Sequence, residues 1–358
     1  MFFNSMDLFS GLGGNAFAFK SFAKPLLYCE ISKDAQQVLR AVMARGDVPV
    51  APVHDDVRTL ANTELYKAAK AREDAPLLVS ASWPCQGNSL LGKRKGMEDP
   101  RSGLIRDVCD LLLDCKPSVF FLENTPAVTT NGSVDYLEGR LGEAFDVKWG
   151  IHSAEEVGFP HLRRRFFCVG KLKGFDFAQF PFAFEPMTRL HFRKDSEPPR
   201  CIARSTSVNP RTSQPFLHPT PRTHPEYFRR LDCLGNAVVP ACSLYAFLTL
   251  AGLPVVDKQP KGKFTYTMDP SLYKPPPERY THPALNLDNV VRKPFVRTSM
   301  PTPAVMWYSV NTLSKRSANN IGTFVLFERG TPDHMRKCPL NVGWVEWLMG
   351  FPEGYTAL

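Results

Sequence analysis

The sequence predicts an α/β fold: a mostly parallel sheet flanked by helices, with a smaller and irregular second lobe. Three observations carry that expectation. Short apolar runs alternate with helix-like stretches as far as about residue 172, the pattern of βα units stacked into one sheet. A strand, a glycine-rich turn and a helix open the chain. Beyond residue 173 the composition shifts towards proline, phenylalanine and arginine, and periodicity fades. At 358 residues the chain has room for one substantial core and a second, smaller lobe.

The first predicted strand is Met6–Phe9, which runs into the turn of DLFSGLGG, Asp7 to Gly14, and then into the helical NAFAFKSFA. Glycines there let the backbone approach a nucleotide-like ligand, and such turns serve NAD, FAD and S-adenosylmethionine alike. Pro25–Glu30 is the second strand. Its last residue, Glu30, is either an acceptor for two ribose hydroxyls or an ordinary surface glutamate. A helix is expected from the Ser32 cap to Ala44. Asp56, in HDDVRTL, follows an apolar stretch, where it can accept from an adenine amino group or be a plain loop aspartate.

Leu77–Ser82 is the next strand, and it delivers WPCQ to the carboxyl edge, where open α/β sheets place their ligands. Cys85 is there either as a nucleophile or as one more buried structural cysteine. The polar stretch that follows, with Lys93, Arg94 and Lys95, reads as a loop reaching phosphates or as a merely solvated one. Leu104–Cys115 is an amphipathic helix. Val119–Glu123 is a strand that brings Glu123 and Asn124 to the same edge. A carboxylate directly after an apolar run is partly desolvated, which raises its pKa and suits a proton-sharing group. A cap or an ion pair is the plainer use.

In GFPHLRRRFFCVGK, Phe166–Gly170 is a strand, and on an extended segment Arg163 and Arg165 project together while Arg164 points the other way. Paired guanidiniums can hold a base carbonyl, a phosphate or a carboxylate, or guard a sheet edge. Further on, LGNAVVPACSLYAFLTLAGLP places a Gly-Asn turn before an apolar helix from Ala241 to Ala251, expected to pack back on the core.

Composition adds boundaries. With 44 Lys and Arg against 35 Asp and Glu, the surplus of positive charge suits a polyanionic partner without proving one. Nine cysteines stand singly, with no C-x-x-C pair and no Cys/His cluster at zinc spacing, so reduced thiols and no metal are expected. The N-terminus lacks the features of a signal peptide, and no apolar run is expected to reach membrane-spanning length. A soluble, intracellular protein follows as the expectation, cytoplasmic or wherever its polyanion is.

In this order, the segments resemble the cytosine-C5 DNA methyltransferase family. DLFSGLGG is similar to its cofactor loop, PCQ followed by GKRKGMEDPRSGL to its nucleophile loop, LENT to its ENV motif, PHLRRR to its P-Q-x-R-x-R motif, and LGNAVVP to its GNxV motif. The resemblance implies a Rossmann-like, S-adenosylmethionine-dependent methyltransferase core with an irregular target-recognition domain, and transfer of a methyl group to C5 of a flipped-out cytosine. It implies Cys85, Glu123, Arg163 and Arg165 as the catalytic set, with Cys85 adding to C6, Glu123 sharing a proton with N3, Arg165 holding the base O2 and Arg163 the Glu123 neighbourhood. S-adenosylmethionine would contact Phe9, Gly11, Leu12, Glu30, Asp56, Val57, Leu104, Asn236 and Val238. The substrate would meet Pro84, Gln86, Ser89 and Asn124. Double-stranded DNA is the implied partner, with no metal, no membrane and a monomeric enzyme, of the kind used in restriction-modification.

Three departures stand out. Thr125 replaces the usual valine after Glu-Asn, and His161 the usual glutamine before the arginines. The segment PLNVGWVEWLMGFPEGYTAL resembles the motif that normally precedes GNxV, yet here it ends the chain, an order that by resemblance points to phage, viral or mobile-element origin. The expected organisation is a catalytic and cofactor-binding core over 1–172, a Pro-rich linking segment over 173–228, the GNxV segment over 229–252, and a target-recognition region with the displaced motif over 253–358. In that last region Arg292, Lys293, Arg297, Lys315, Arg316 and Arg336, with Trp307, Tyr308, Asn319 and Asn320, suit phosphate and base-edge contacts or form a scatter of surface charge. Three rivals remain: a tRNA-methylating branch, whose Cys-Phe-Thr segment is missing; an inactive DNA-binding homologue, against which Cys85, Glu123 and Arg165 all stand; and a nicotinamide enzyme, which has no use for Pro-Cys-Gln.

Overall fold

Seven strands form one sheet around β1 (Phe3–Leu8). On one side of it lie β2 (Ala23–Cys29) and then β3 (Val53–His54), both parallel. On the other side come β4 (Leu77–Ala81) and β5 (Val119–Asn124), also parallel, then β7 (Arg165–Leu172) antiparallel to β5, and β6 (Phe145–His152) antiparallel to β7 at the edge. The computed structural model describes residues 3–84, 102–157, 159, 163–179, 208–209, 214–215, 224–253, 342–352 and 354–358. This is the α/β core the sequence predicts, with each expected strand in place.

Period-two alternation builds a core on each face. Leu78, Phe121, Phe167 and Val169 point to one side; Val79, Phe120, Leu122, Phe166 and Cys168 point to the other. Helices α1 (Gly14–Phe19) and α2 (Lys33–Ala44) cover the first face, and α3 (Val57–Leu60), α4 (Glu64–Lys70), α5 (Ile105–Cys115) and α6 (Ser133–Leu141) the second. Ser32 caps α2 by accepting from the Ala35 N–H, as the sequence leads one to expect.

Three further helices close the first face: α7 (Glu226–Asn236), α8 (Pro240–Ala251) and α9 (Val342–Leu348). Glu226–Ala251 is long and apolar enough, by length and composition, to cross a membrane, so the expectation that no run approaches that length does not hold. The stretch is broken at Ala237–Val239, and 61% of its most apolar window is buried against the protein, the mark of core helices. Its buried Arg230 is also ion-paired to Glu346 at 2.7 Å. The terminal segment, grouped by sequence with 253–358, packs on this same face: Tyr355 Oη donates to Leu12 O at 3.0 Å, and Arg45 donates to the carbonyls of Tyr355 and Ala357.

Candidate active site

The chain lays β1, β2 and β3 outward in one direction and β4 and β5 in the other, so the order reverses between β1 and β4. Open α/β sheets bind ligands in the crevice beyond the carboxyl ends at such a reversal. The ends of β1 to β5 gather Phe9–Gly14, Glu30, Asp56, Trp83–Pro84 and Glu123–Asn124 along that edge. Because β7 runs antiparallel, its beginning, not its end, lies there. Arg165 therefore starts beside the end of β5.

At the β1 turn, Ser10 N–H donates to Cys29 O and Ser10 Oγ to Asp7 O, folding the loop back on the sheet. Gly11 takes a φ of 54°, open to glycine, and a Cβ there would meet nothing within 4 Å, so the loop faces open space. Glu30 spans the gap between strands: Oε2 accepts from Gly11 N–H and Oε1 from Ser32 N–H, each at 2.8 Å. Burial holds its carboxyl above the usual range against those N–H donors. Each oxygen keeps a lone pair for a hydroxyl. Leu12 is buried beneath the loop, while Phe9 is half-buried with a positive φ.

Asp56 sits just past β3, but its carboxylate caps α3 through the Arg58 N–H and pairs with the Arg58 guanidinium. Those contacts hold its pKa below the usual carboxylate range. Val57 is buried at the start of α3, and Leu104 is half-buried ahead of α5. Val238 packs on the loop itself: a Cβ on Gly14 would sit 2.6 Å from Val238 Cγ2, so only glycine permits this approach. Asn236, by contrast, is exposed and donates to Asp232 O at the end of α7.

At the other half of the edge, Glu123 is buried and Arg165 Nε lies 3.2 Å from its Oε1. Burial pushes its carboxyl up; Arg165, then Arg163, then a hydrogen bond from Ser82 pull it back. The net direction is upward, as expected of a carboxylate behind an apolar strand. The picture of Arg163 and Arg165 side by side on one strand needs correction. Strand β7 begins only at Arg165, and Arg163 takes a φ of 29°, which turns its side chain towards Gly235 and Ala237, whose carbonyls accept from Nη2. Arg165 is the direct partner of Glu123. Arg163 ties the arginine segment to the GNxV turn.

Asn124, expected against substrate, is buried with both ends engaged: Nδ2 donates to Trp83 O at 3.0 Å and Oδ1 accepts from Thr125 N–H at 2.7 Å. It fixes the segment that leads to Cys85. Pro84 is half-buried next to it. Cys85, Gln86 and Ser89 lie outside the described residues, as do His161 and the basic residues singled out between 292 and 336. Two residues that sequence reasoning passed over belong here: Ser82, which the β4–β5 register sets next to Glu123, and Asn15, which donates to Ser82 Oγ at 3.2 Å. A lone amide within the apolar NAFAF run was the available signal. Among the described residues no group of three His, Cys, Asp or Glu is placed to hold a metal.

The profile of the C-5 cytosine-specific DNA methylase family matches residues 3–215, which hold the glycine turn, Glu30, the Trp83–Pro84 approach and the Glu123–Arg165 pair. The chain belongs to this family. Among its relatives, the type II methyltransferase M.CviJI of Paramecium bursaria Chlorella virus IL3A is 27% identical over 270 residues, 75% of this chain and 64% of that protein. M.HpaII of Haemophilus parainfluenzae is 30% identical over 196 residues, 52% of this chain and 51% of that one. M.AquIA of a Picosynechococcus strain is 30% identical over 189 residues, 49% of this chain and 74% of that one. The chain thus spans 64% and 51% of the first two relatives. Its α7, α8 and α9 lie beyond the profile match and are joined to it by Val238, Arg163 and Tyr355.

Proposed function

We propose that this C-5 methylase transfers a methyl group from S-adenosylmethionine to C5 of a cytosine flipped out of duplex DNA, with Cys85 as nucleophile. One observation carries the reading: the Glu123–Arg165 pair, 3.2 Å apart, stands on the edge to which β4 delivers Trp83 and Pro84. None of the six described cysteines competes for the role. Burial pushes the thiols of Cys29, Cys109, Cys115 and Cys233 up to about 12 and those of Cys168 and Cys242 higher still, which disfavours the reactive thiolate.

The residues at the β1 turn fit the cofactor. Open space before Gly11 admits it, Glu30 can accept from ribose hydroxyls, and Phe9, Leu12, Val57, Leu104 and Val238 supply apolar walls, with Asp56 and Asn236 as polar contacts at either end. When bound, S-adenosylmethionine supplies an electrophilic methyl on a sulfonium. C6 of a stacked cytosine is out of reach, so the base must leave the helix. Cys85, as thiolate, adds to C6 and sends electron density towards C5 and N3. Glu123, whose burial favours the protonated form, holds a proton at N3 and offsets that charge. Arg165 orients Glu123 and the base O2; Arg163 anchors the segment; Asn124 fixes the approach to Pro84, Cys85, Gln86 and Ser89. Once C5 carries the methyl, its proton passes to water and the C6–S bond breaks, which restores the ring and frees the Cys85 thiolate. Target choice is assigned to the region from 253 to about 340.

Incubation with mixed-sequence DNA and S-adenosylmethionine, read by base-resolution sequencing, should show 5-methylcytosine in a fixed context. Cys85→Ala should abolish it and Glu123→Gln should slow it by about 10²–10⁴-fold. DNA carrying 5-fluorocytosine at the target should stay covalently attached to the wild type and not to Cys85→Ala. No methylation by a folded protein that S-adenosylmethionine protects from heat would sink the proposal.

A further inference from the structure

Asn15 is 4% exposed, yet it stands on α1 among Gly14, Ala16, Ala18 and Phe19, all buried. An amide in such a place costs desolvation unless it is used. Its Nδ2 lies 3.2 Å from Ser82 Oγ, just past the end of β4. An amide N–H has no lone pair to offer, so Ser82 Oγ is the acceptor in that bond, and its own proton is left for another partner. That partner is Glu123: the parallel register pairs Ser80 with Phe121 and Ala81 with Leu122, which sets Ser82 next to Glu123, and the Ser82 side chain is among the influences that draw the Glu123 carboxyl down.

We infer that Asn15 and Ser82 are positioning residues for Glu123: the Asn15 amide fixes the Ser82 hydroxyl, which donates to the Glu123 carboxylate. The inference rests on the reading of Glu123 as the proton-sharing group. Arg165 approaches Glu123 from β7, and Ser82 from β4, so the carboxylate is held from two strands. A donor on the ionised carboxylate also favours the charged form, which keeps burial from locking the proton in place. The relay begins on the helix that follows the glycine turn, and its first member lies beside the Asp7 carboxylate, which accepts from Ser80 Oγ. Hence β1, β4 and β5 are joined by one run of polar side chains beneath the proposed cofactor and base sites.

Two readouts separate this relay from a packing role. In the first, the carboxyl carbon of Glu123 is followed by NMR of ¹³C-glutamate-labelled protein without DNA, its signal identified by loss in Glu123→Gln. Ser82→Ala removes a donor to the ionised form, so the titration midpoint should rise by about half to one unit. Ser82→Thr, which keeps the hydroxyl, should restore it. Asn15→Leu should give a smaller rise, and the double variant no more than Ser82→Ala alone, because the two act in series. In the second readout, the alkaline limb of the single-turnover methylation profile should move the same way. An unchanged midpoint in Ser82→Ala, or additive shifts in the double variant, would overturn the relay. The NMR titration decides this even for a protein that methylates nothing, an outcome that would instead overturn the proposed function.

Discussion

Asp7, Glu30 and Glu123 all lie buried near one sheet edge, and each is held by a different set of donors. Glu30 has two backbone N–H groups and Glu123 a guanidinium, whereas Asp7 has chiefly the hydroxyl of Ser80. Burial therefore wins most clearly at Asp7 and raises its carboxyl from 3.8 to about 7, with Ser80 opposing and the Glu30 charge adding to the rise. Between about pH 4 and 7 the folded protein retains a proton that the unfolded chain has released. Stability should fall with rising pH across that window, by up to about 1.4 kcal/mol per unit, and the penalty is complete above pH 7. Asp7→Asn, uncharged throughout and still able to accept from Ser80, should raise the urea midpoint clearly at pH 8 and little at pH 5. Equal effects at both would show that no charge is being penalised. Much of the edge was legible in advance, because Glu30 and Glu123 each follow an apolar strand directly. The turn of Arg163 towards Gly235 and Ala237 was not, nor were Ser82 and Asn15, because a positive φ and contacts between distant segments leave no periodic trace.

Elements with one clean pattern were equally legible. The strands β1, β2, β4, β5 and β7 each carry an apolar run, and α2 carries both a cap and an amphipathic face. Strand β6, FDVKWGIH, was not singled out, since as an edge strand it exposes Asp146, Lys148 and Trp149 in part or in full. Helix α7 had a signal, with Tyr227, Leu231 and Leu234 buried at helical spacing, but the Gly-Asn turn at its end drew the reading. Its role emerges only in three dimensions. Arg230 pairs with Glu346 of α9 at 2.7 Å and donates from Nε to Thr356 Oγ1, while Glu346 also accepts from the Gly354 and Thr356 N–H groups. This buried knot joins α7 to the segment whose Tyr355 holds Leu12 in the glycine turn. Glu346→Ala would take this acceptor from the buried Arg230 charge, from the Gly354 and Thr356 N–H groups and from the Thr356 hydroxyl, so unfolding in urea should show a loss of about 3–5 kcal/mol. A loss under about 1 kcal/mol would mean that the knot is not closed in solution.

At the scale of the whole molecule, charge is distributed unevenly along the chain. Residues 254–341 carry thirteen Lys and Arg against six Asp and Glu, and so account for most of the net +9. This region separates the GNxV segment from α9, both of which pack on the same face of the core. In the proposed function it supplies the phosphate contacts, while the edge of β1, β4 and β5 supplies the chemistry. Binding and turnover should then respond to different substitutions. Neutralising Lys315 and Arg316 together, as Lys315→Gln with Arg316→Gln, removes two candidate phosphate partners and no member of the edge. Duplex affinity should weaken, and the slope of log Kd against log salt should flatten by roughly 0.9 for each phosphate no longer neutralised. The single-turnover rate at saturating DNA should remain at the wild-type value, since Glu123, Arg165 and Ser82 are untouched. Fluorescence anisotropy over a salt series gives the slope, and rapid-quench methylation gives the rate. An unchanged slope with a lowered rate would place these cations with the chemistry instead of the duplex backbone, and would reverse the assignment of 253 to about 340 as the part that reads DNA.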